Sequence, residues 1–142
     1  MQESFLLEEF MDLTLIKVVN AYDALQRIKN RTFPIKIAYA INKNMQLFKG
    51  DVDFYKKNIN DIYNQYLEKD IKGNFITVSE TKDSTSFKIK EGMDLEMGQK
   101  MKELNETEIN IDVYMISLNM LMELNIDIEP SVLNNIDFIL QD

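Results

Sequence analysis

Cysteine and histidine are both absent from the sequence. The first absence excludes disulfides, thiolate metal sites and cysteine nucleophiles together, and is the usual state of an intracellular chain. The second removes the one side chain whose ordinary pKa lies near neutrality, and with it Ser-His-Asp triads and imidazole ligands for zinc or iron. The four glycines are scattered at positions 50, 73, 92 and 98, so no GxGxxG fingerprint, P-loop or nucleophile elbow can be formed. Arg27 and Arg31 are the only arginines. No run approaches the ~20 apolar residues of a membrane span. The start, Met1-Gln2-Glu3-Ser4 followed by Phe5-Leu6-Leu7-Glu8-Glu9, has neither the basic region nor the unbroken apolar stretch of a secretory signal.

What is present suits one domain. The chain has 142 residues, of which 45% are hydrophobic and 28% charged, a globular balance long enough for a real core. The net charge of −8 is unevenly placed. Residues 1–92 are close to neutral, whereas residues 93–142 hold 2 basic and 11 acidic side chains. After Lys102 there is no base, while Glu103, Glu106, Glu108, Asp112, Glu123, Asp127, Glu129, Asp137 and Asp142 follow. Such a surface repels nucleic acid phosphates and suits a basic partner. Glu103, Glu106, Glu108, Asp112, Glu123, Asp127 and Glu129 are therefore the candidate partner-binding residues.

The strongest periodicity runs from Ala38 to Tyr66. Ala38, Ile41, Met45, Phe48, Val52, Tyr55, Ile59, Ile62 and Tyr66 recur at steps of three and four, the seam of one helix lying along another. The seam keeps its phase through Gly50, so a single helix over about 34–68 is expected, with Pro34 at its first turn. Met11, Leu15, Val18, Tyr22 and Leu25 repeat the spacing upstream. A short break at 30–33 makes the two helices antiparallel neighbours, the first over about 5–30. Its start is open, because Thr14, Ile16, Val18 and Val19 have strand propensity.

Beyond Gly73 the period shortens. Ile76 and Val78 share a face, as do Phe87 and Ile89, around the polar run Glu80-Thr81-Lys82-Asp83-Ser84, which predicts a β-hairpin over 74–90. Met93, Met97, Met101 and Leu104 then predict a helix, and Ile109, Ile111, Val113 and Met115 a half-buried strand. Residues 116–128 fit either strand or helix; strand, short helix and an extended 125–129 is the preferred order. Pro130 with Val132, Leu133, Ile136, Ile139 and Leu140 reads as a terminal helix. The fold class is α+β: a long antiparallel, coiled-coil-like helical hairpin (5–68) followed by a small antiparallel β assembly with short helices (74–142), in one domain.

Chemistry-bearing clusters are few. Asp51 with Asp53, and Asp127 with Glu129, are spaced carboxylates that could hold Mg²⁺, but no EF-hand loop surrounds either pair, and acids on a solvated face are the commoner case. Lys36, Lys43, Lys49, Lys56 and Lys57 beside Tyr39, Phe54 and Tyr63 form a basic, aromatic face of the kind that binds single strands or nucleotides, diluted by Asp51, Asp53 and Asp61. The methionines at 93, 97, 101, 115, 120 and 122 fit either an adaptable binding surface or core. Phe5, Leu6, Leu7 and Phe10 form a dense apolar patch and are the candidate self-association residues.

Two stretches carry a resemblance. Residues 16–44, with Val19-Asn20-Ala21-Tyr22-Asp23-Ala24-Leu25 and Phe33-Pro34-Ile35-Lys36-Ile37-Ala38-Tyr39, resemble a family of small uncharacterised proteins of tailed phages and prophages of Gram-positive bacteria. Ile109-Asn110-Ile111-Asp112-Val113, then Ile128-Glu129-Pro130-Ser131 and Phe138-Ile139, are similar to that family's C-terminal half. The matching residues are fold-forming and not catalytic, and residues 1–12 depart from the pattern. The arrangement of helical hairpin and β assembly also resembles prefoldin-like folds, which by itself assigns no function.

The expectation is a non-enzymatic phage protein, cytoplasmic in the host cell and without cofactor or metal. It would bind a basic protein partner as inhibitor or modulator of a host factor, an anti-phage defence factor in the sharpest version. A homo-oligomer is expected as well, and an oligomeric virion or assembly component and a small-molecule or nucleotide binder are the alternative functions. Direct nucleic acid binding and membrane association are not expected.

Overall fold

The computed structural model describes residues 8–82 and 84–142. Strand β1 (Glu8–Thr14) leads directly into helix α1 (Leu15–Ile28), and helix α2 (Ile35–Tyr66) returns antiparallel to it. Strands β2 (Thr77–Glu80) and β3 (Thr85–Phe87) form a hairpin, followed by helix α3 (Asp94–Asn105) and strand β4 (Glu108–Tyr114). Strand β5 (Ile116–Ser117), helix α4 (Leu118–Met122), helix α5 (Pro130–Asn135), a 3-10 turn (Asp137–Ile139) and strand β6 (Leu140–Gln141) complete the chain. Mixed helix and strand around one long helix is the expected class. Among the described residues no helix is long and apolar enough to cross a membrane.

Helix α2 runs unbroken for 32 residues, about 48 Å at 1.5 Å per residue. Gly50 lies inside it, with the side chain's place open to solvent. Its first half is covered by α1, which is only 14 residues long. Val18, Ala21, Leu25 and Ile28 of α1 meet Ile37, Ala40, Ile41, Phe48 and Val52 of α2 in the main core, which Ile111, Val113, Ile116, Val132, Ile136 and Ile139 close. The far end of α2 builds a second, smaller core from Tyr66, Leu67 and Met97, with Ile62, Tyr63, Phe75, Ile89 and Met101 around it.

Three expected boundaries are corrected. Residues 8–14 are not the first turns of helix one but a strand, paired antiparallel with β4 from Glu8↔Tyr114 to Thr14↔Glu108. Their alternation explains it: Met11 and Leu13 turn inward to the core while Glu8, Phe10 and Asp12 turn out, a period of two that a helix cannot satisfy. The expected terminal helix ends at Asn135, because the chain must extend again for Leu140 to pair with Ile116 in the parallel ladder of β5 and β6. The predicted hairpin is shorter in its regular part, although isolated bridges Leu67↔Ile89 and Lys69↔Phe75 extend it back to the end of α2.

Among the described residues Asn44 is the one buried polar side chain outside the hydrophobic set. Its carboxamide meets the backbone of Tyr114, so α2 occupies one edge of β4. The sheet of β1 and β4 therefore has α2 on one side and, among the described residues, no strand on the other.

Candidate functional site

The register of β1 and β4 sorts their side chains into two faces. Met11, Leu13, Ile109, Ile111 and Val113 face the core. The opposite face presents Glu8, Phe10, Asp12 and Thr14 from β1, and Glu108, Asn110, Asp112 and Tyr114 from β4. Four carboxylates thus share one two-stranded surface, with Phe10 in its middle and 67% exposed. Phe10 stands directly opposite Asp112, and diagonally from Tyr114, a separation that an aromatic side chain can span.

Tyr114 links this face to α2. Its ring packs edge-on against Tyr39, with centroids 6.4 Å apart and planes at 81°. The Lys43 ammonium sits 5.5 Å from the centre of the Tyr39 ring. Tyr39 is itself about half exposed, and Ile35, one turn earlier, is 86% exposed. The result is an apolar line of Ile35, Tyr39, Tyr114 and Phe10 beside the carboxylates. Burial, then the neighbouring Glu8 carboxylate, pushes the Tyr114 phenol above its ordinary pKa, with Lys43 opposing. Asn110 Nδ2 donates to Asp12 Oδ1, fixing one of the acids in place.

The predicted acids do not form one cluster. Glu108 and Asp112 lie on this face, and Glu103 and Glu106 lie exposed on the approach to it, at the end of α3 and in the turn before β4. Glu123 closes α4. Asp127 and Glu129 lie on a different segment: the Arg31 guanidinium donates to the main-chain carbonyl of Asp127, not to its carboxylate, and Arg27 lies 4.0 Å from the Glu129 carboxylate. The only two arginines of the chain thus stand on the segment that composition offered as free acid. Of the self-association candidates, Phe10 is exposed on β1, while Phe5, Leu6 and Leu7 lie outside the described residues.

The remaining clusters are dispersed as well. Asp51 and Asp53 are two residues apart on a helix and do not face each other; Asp53 pairs with Lys49 at 3.2 Å. Burial raises the pKa of Asp51. Tyr63 packs on Phe75 rather than on a free basic face. The methionines divide: Met97 and Met115 are core, Met101 and Met120 half-buried, and Met93 and Met122 exposed. Among the described residues no group of three Asp or Glu is placed to hold a metal ion. A shallow cleft of about 200 Å³ lies between Lys17 and Asn20 of α1 and Asn134, Asn135, Asp137 and Phe138.

Sequence reasoning had named Phe10, Glu108 and Asp112 separately and for two different purposes; the fold puts them on one surface. It missed Glu8, Asp12 and Tyr114 as their neighbours. The signal was no more than the short alternation Met11-Asp12-Leu13, which the helical spacing of Met11 and Leu15 obscured. No family model, curated protein or solved structure matches the chain.

Proposed function

We propose that this chain is a non-enzymatic protein, phage-encoded as its resemblance implies, that acts by binding a basic surface of another protein and so inhibits or modulates a host factor. The observation that carries this reading is the outward face of β1 and β4, where Phe10 stands exposed among Glu8, Asp12, Glu108 and Asp112. Aromatic side chains are enriched at the cores of protein interfaces, and covering Phe10 contributes up to about 2 kcal/mol. The surrounding carboxylates select the partner and steer its approach. Phe10 would also serve an oligomeric virion component, but two copies meeting through this face would set eight carboxylates together.

The test is affinity capture from infected host cells with two baits, the wild-type chain and the triple variant Phe10→Ala, Glu108→Gln, Asp112→Asn. A basic protein retained by the wild type, released by salt and missing from the variant is the expected result. Identical captures on both baits, or capture indifferent to salt, would overturn the reading. Mass measurement in solution separates the assembly alternative: a wild-type oligomer that the Phe10→Ala change dissociates would favour it.

A further inference from the structure

The β1–β4 ladder has a second consequence, which rests on the binding reading above and specifies how the partner engages. In an antiparallel pair, residues alternate between those whose backbone groups bond to the partner strand and those whose groups point away. Leu15 N–H donates to the Thr107 carbonyl at 2.7 Å, and both backbone groups of Tyr114 turn away from β1 to Asn44. These two ends fix the phase. Leu13↔Ile109, Met11↔Ile111 and Glu9↔Val113 are the bonded pairs, so the N–H and C=O groups of Phe10 and Asp12 point out from the far side of β1. Among the described residues no strand lies there.

Asn44 of α2 takes the edge of β4 at Tyr114, and α2 packs against that strand, so a third strand joins this sheet more readily along β1. We infer that β1 receives an extended basic segment of the partner protein, added as a third strand with lysines or arginines on the outward face. Alternate residues of such a segment lie beside Glu8 and Asp12, with Asp112 and Glu108 one strand further on. The residues between them fall beside Met11 and Leu13, where an apolar side chain fits. The charges decide the occupant. A second copy of this chain pairing β1 with β1 in the register that sets Phe10 against Phe10 would place Glu8 of one copy opposite Asp12 of the other, and like charges directly opposite are destabilising. The exposed acids along β1 thus disfavour self-pairing while leaving the edge open to a segment of opposite charge.

Two substitutions at one position separate backbone from charge. Asp12→Asn removes the carboxylate and keeps the edge-facing N–H; Asp12→Pro removes both, and leaves the ladder to β4 intact because that N–H takes no part in it. The probe is a synthetic peptide of alternating lysine and valine, as long as β1, with a second peptide methylated at alternate backbone nitrogens as its control. The expected result is that the first peptide binds the wild-type chain, the methylated one does not, and Asp12→Pro weakens binding about fivefold or more beyond Asp12→Asn, the worth of one hydrogen bond. Equal binding of both peptides, equal effects of the two substitutions, or no binding of either peptide would overturn the inference. So would a wild-type dimer that Asp12→Pro dissociates. Should Asp12→Pro fail to fold, the methylated control decides alone. A basic protein still captured through Phe10, Glu108 and Asp112 in the face of a negative peptide result would leave the binding reading standing and remove only strand addition.

Discussion

The Asn44 carboxamide on α2 takes the place of a neighbouring strand for Tyr114 on β4: its Nδ2 donates to the Tyr114 carbonyl at 2.8 Å, and its Oδ1 accepts from the Tyr114 N–H at 2.7 Å. A side-chain amide has the same donor and acceptor as a peptide unit, so one residue satisfies the edge of a strand that would otherwise be buried unpaired. Asn44→Ala leaves both Tyr114 groups without partners in the core. A loss of about 2–4 kcal/mol is expected, from two hydrogen bonds and the desolvation they had offset. Asn44→Asp keeps an acceptor but buries a carboxylate, whose pKa must rise, so this variant should lose stability as pH increases above about 4. Urea unfolding at two pH values checks both, and slow amide exchange at Tyr114 should vanish in Asn44→Ala, which removes the acceptor of that N–H, and persist in Asn44→Asp, which keeps it.

Gly50 supplies a prediction of the opposite sign. It is exposed in the middle of α2, and a Cβ built there meets nothing within 4 Å. Its conformation is that of the helix around it, so alanine loses no favourable geometry and gains helix propensity. Gly50→Ala should stabilise the chain by about 0.5–1 kcal/mol. A higher urea midpoint with unchanged slope is the measurement; an unchanged or lower midpoint would contradict it.

Legibility followed the length of the pattern. The seam from Ala38 to Tyr66 could be read because nine positions repeat without interruption, and α2 ends within two residues of its expected bounds. The strand 108–114 could be read from four alternating apolar residues. Residues 8–14 were misread because Met11 and Leu15 are four apart and Leu15 does belong to a helix; seven residues cannot outvote a seam that continues into them. The face of β1 and β4 was therefore invisible as a unit. Its two strands lie nearly a hundred residues apart, and only pairing brings Phe10 to Asp112. Asn44 was equally hidden, since a buried asparagine in a helical sequence looks like any polar residue until its partner's backbone is in place.

Three phenols give the chain an alkaline limit. The Tyr66 hydroxyl donates to Glu96 Oε2 at 2.6 Å, and that bond, then burial and the charges of Glu96 and Glu103, raises its pKa. Burial and Tyr63 raise that of Tyr55, whose hydroxyl donates to Asn105 Oδ1 at 2.7 Å. Tyr114 is raised as described above. A group whose folded pKa is raised holds its proton longer in the native state, so its stabilisation is complete below the unfolded value of about 10 and is lost as pH climbs through the folded value. Stability should therefore fall above about pH 10, less steeply in Tyr66→Phe. At the acid end the sign reverses. The Asn119 N–H and the Ser117 hydroxyl hold the Asp142 carboxyl below its usual range, so its contribution is present above about pH 4 and disappears below it. Urea midpoints across pH, with tyrosinate absorbance on the alkaline limb, test both limits.

Arg27 faces a carboxylate, that of Glu129, whereas Arg31 bonds a main-chain carbonyl. Arg31 in the middle of the α1–α2 connection donates to the Asp127 carbonyl, a charged donor on a backbone acceptor that ties the irregular segment after α4 to the helical hairpin. Arg27 and Glu129, 4.0 Å apart and both largely exposed, are a pair of the kind that contributes little. Arg31→Ala should accordingly cost about 1 kcal/mol, and Glu129→Gln less than about 0.5 kcal/mol. The same geometry separates two parts of the acidic third in binding. Glu129 faces a cation of its own chain, whereas Glu108 and Asp112 share their surface with two further acids and Phe10. Capture of the basic partner should therefore survive Asp127→Asn and Glu129→Gln and weaken severalfold with Glu108→Gln and Asp112→Asn. Affinities of the four variants at low salt decide it; an equal loss from both pairs would mean that the partner reads the net charge of the C-terminal third and not the face built by β1 and β4.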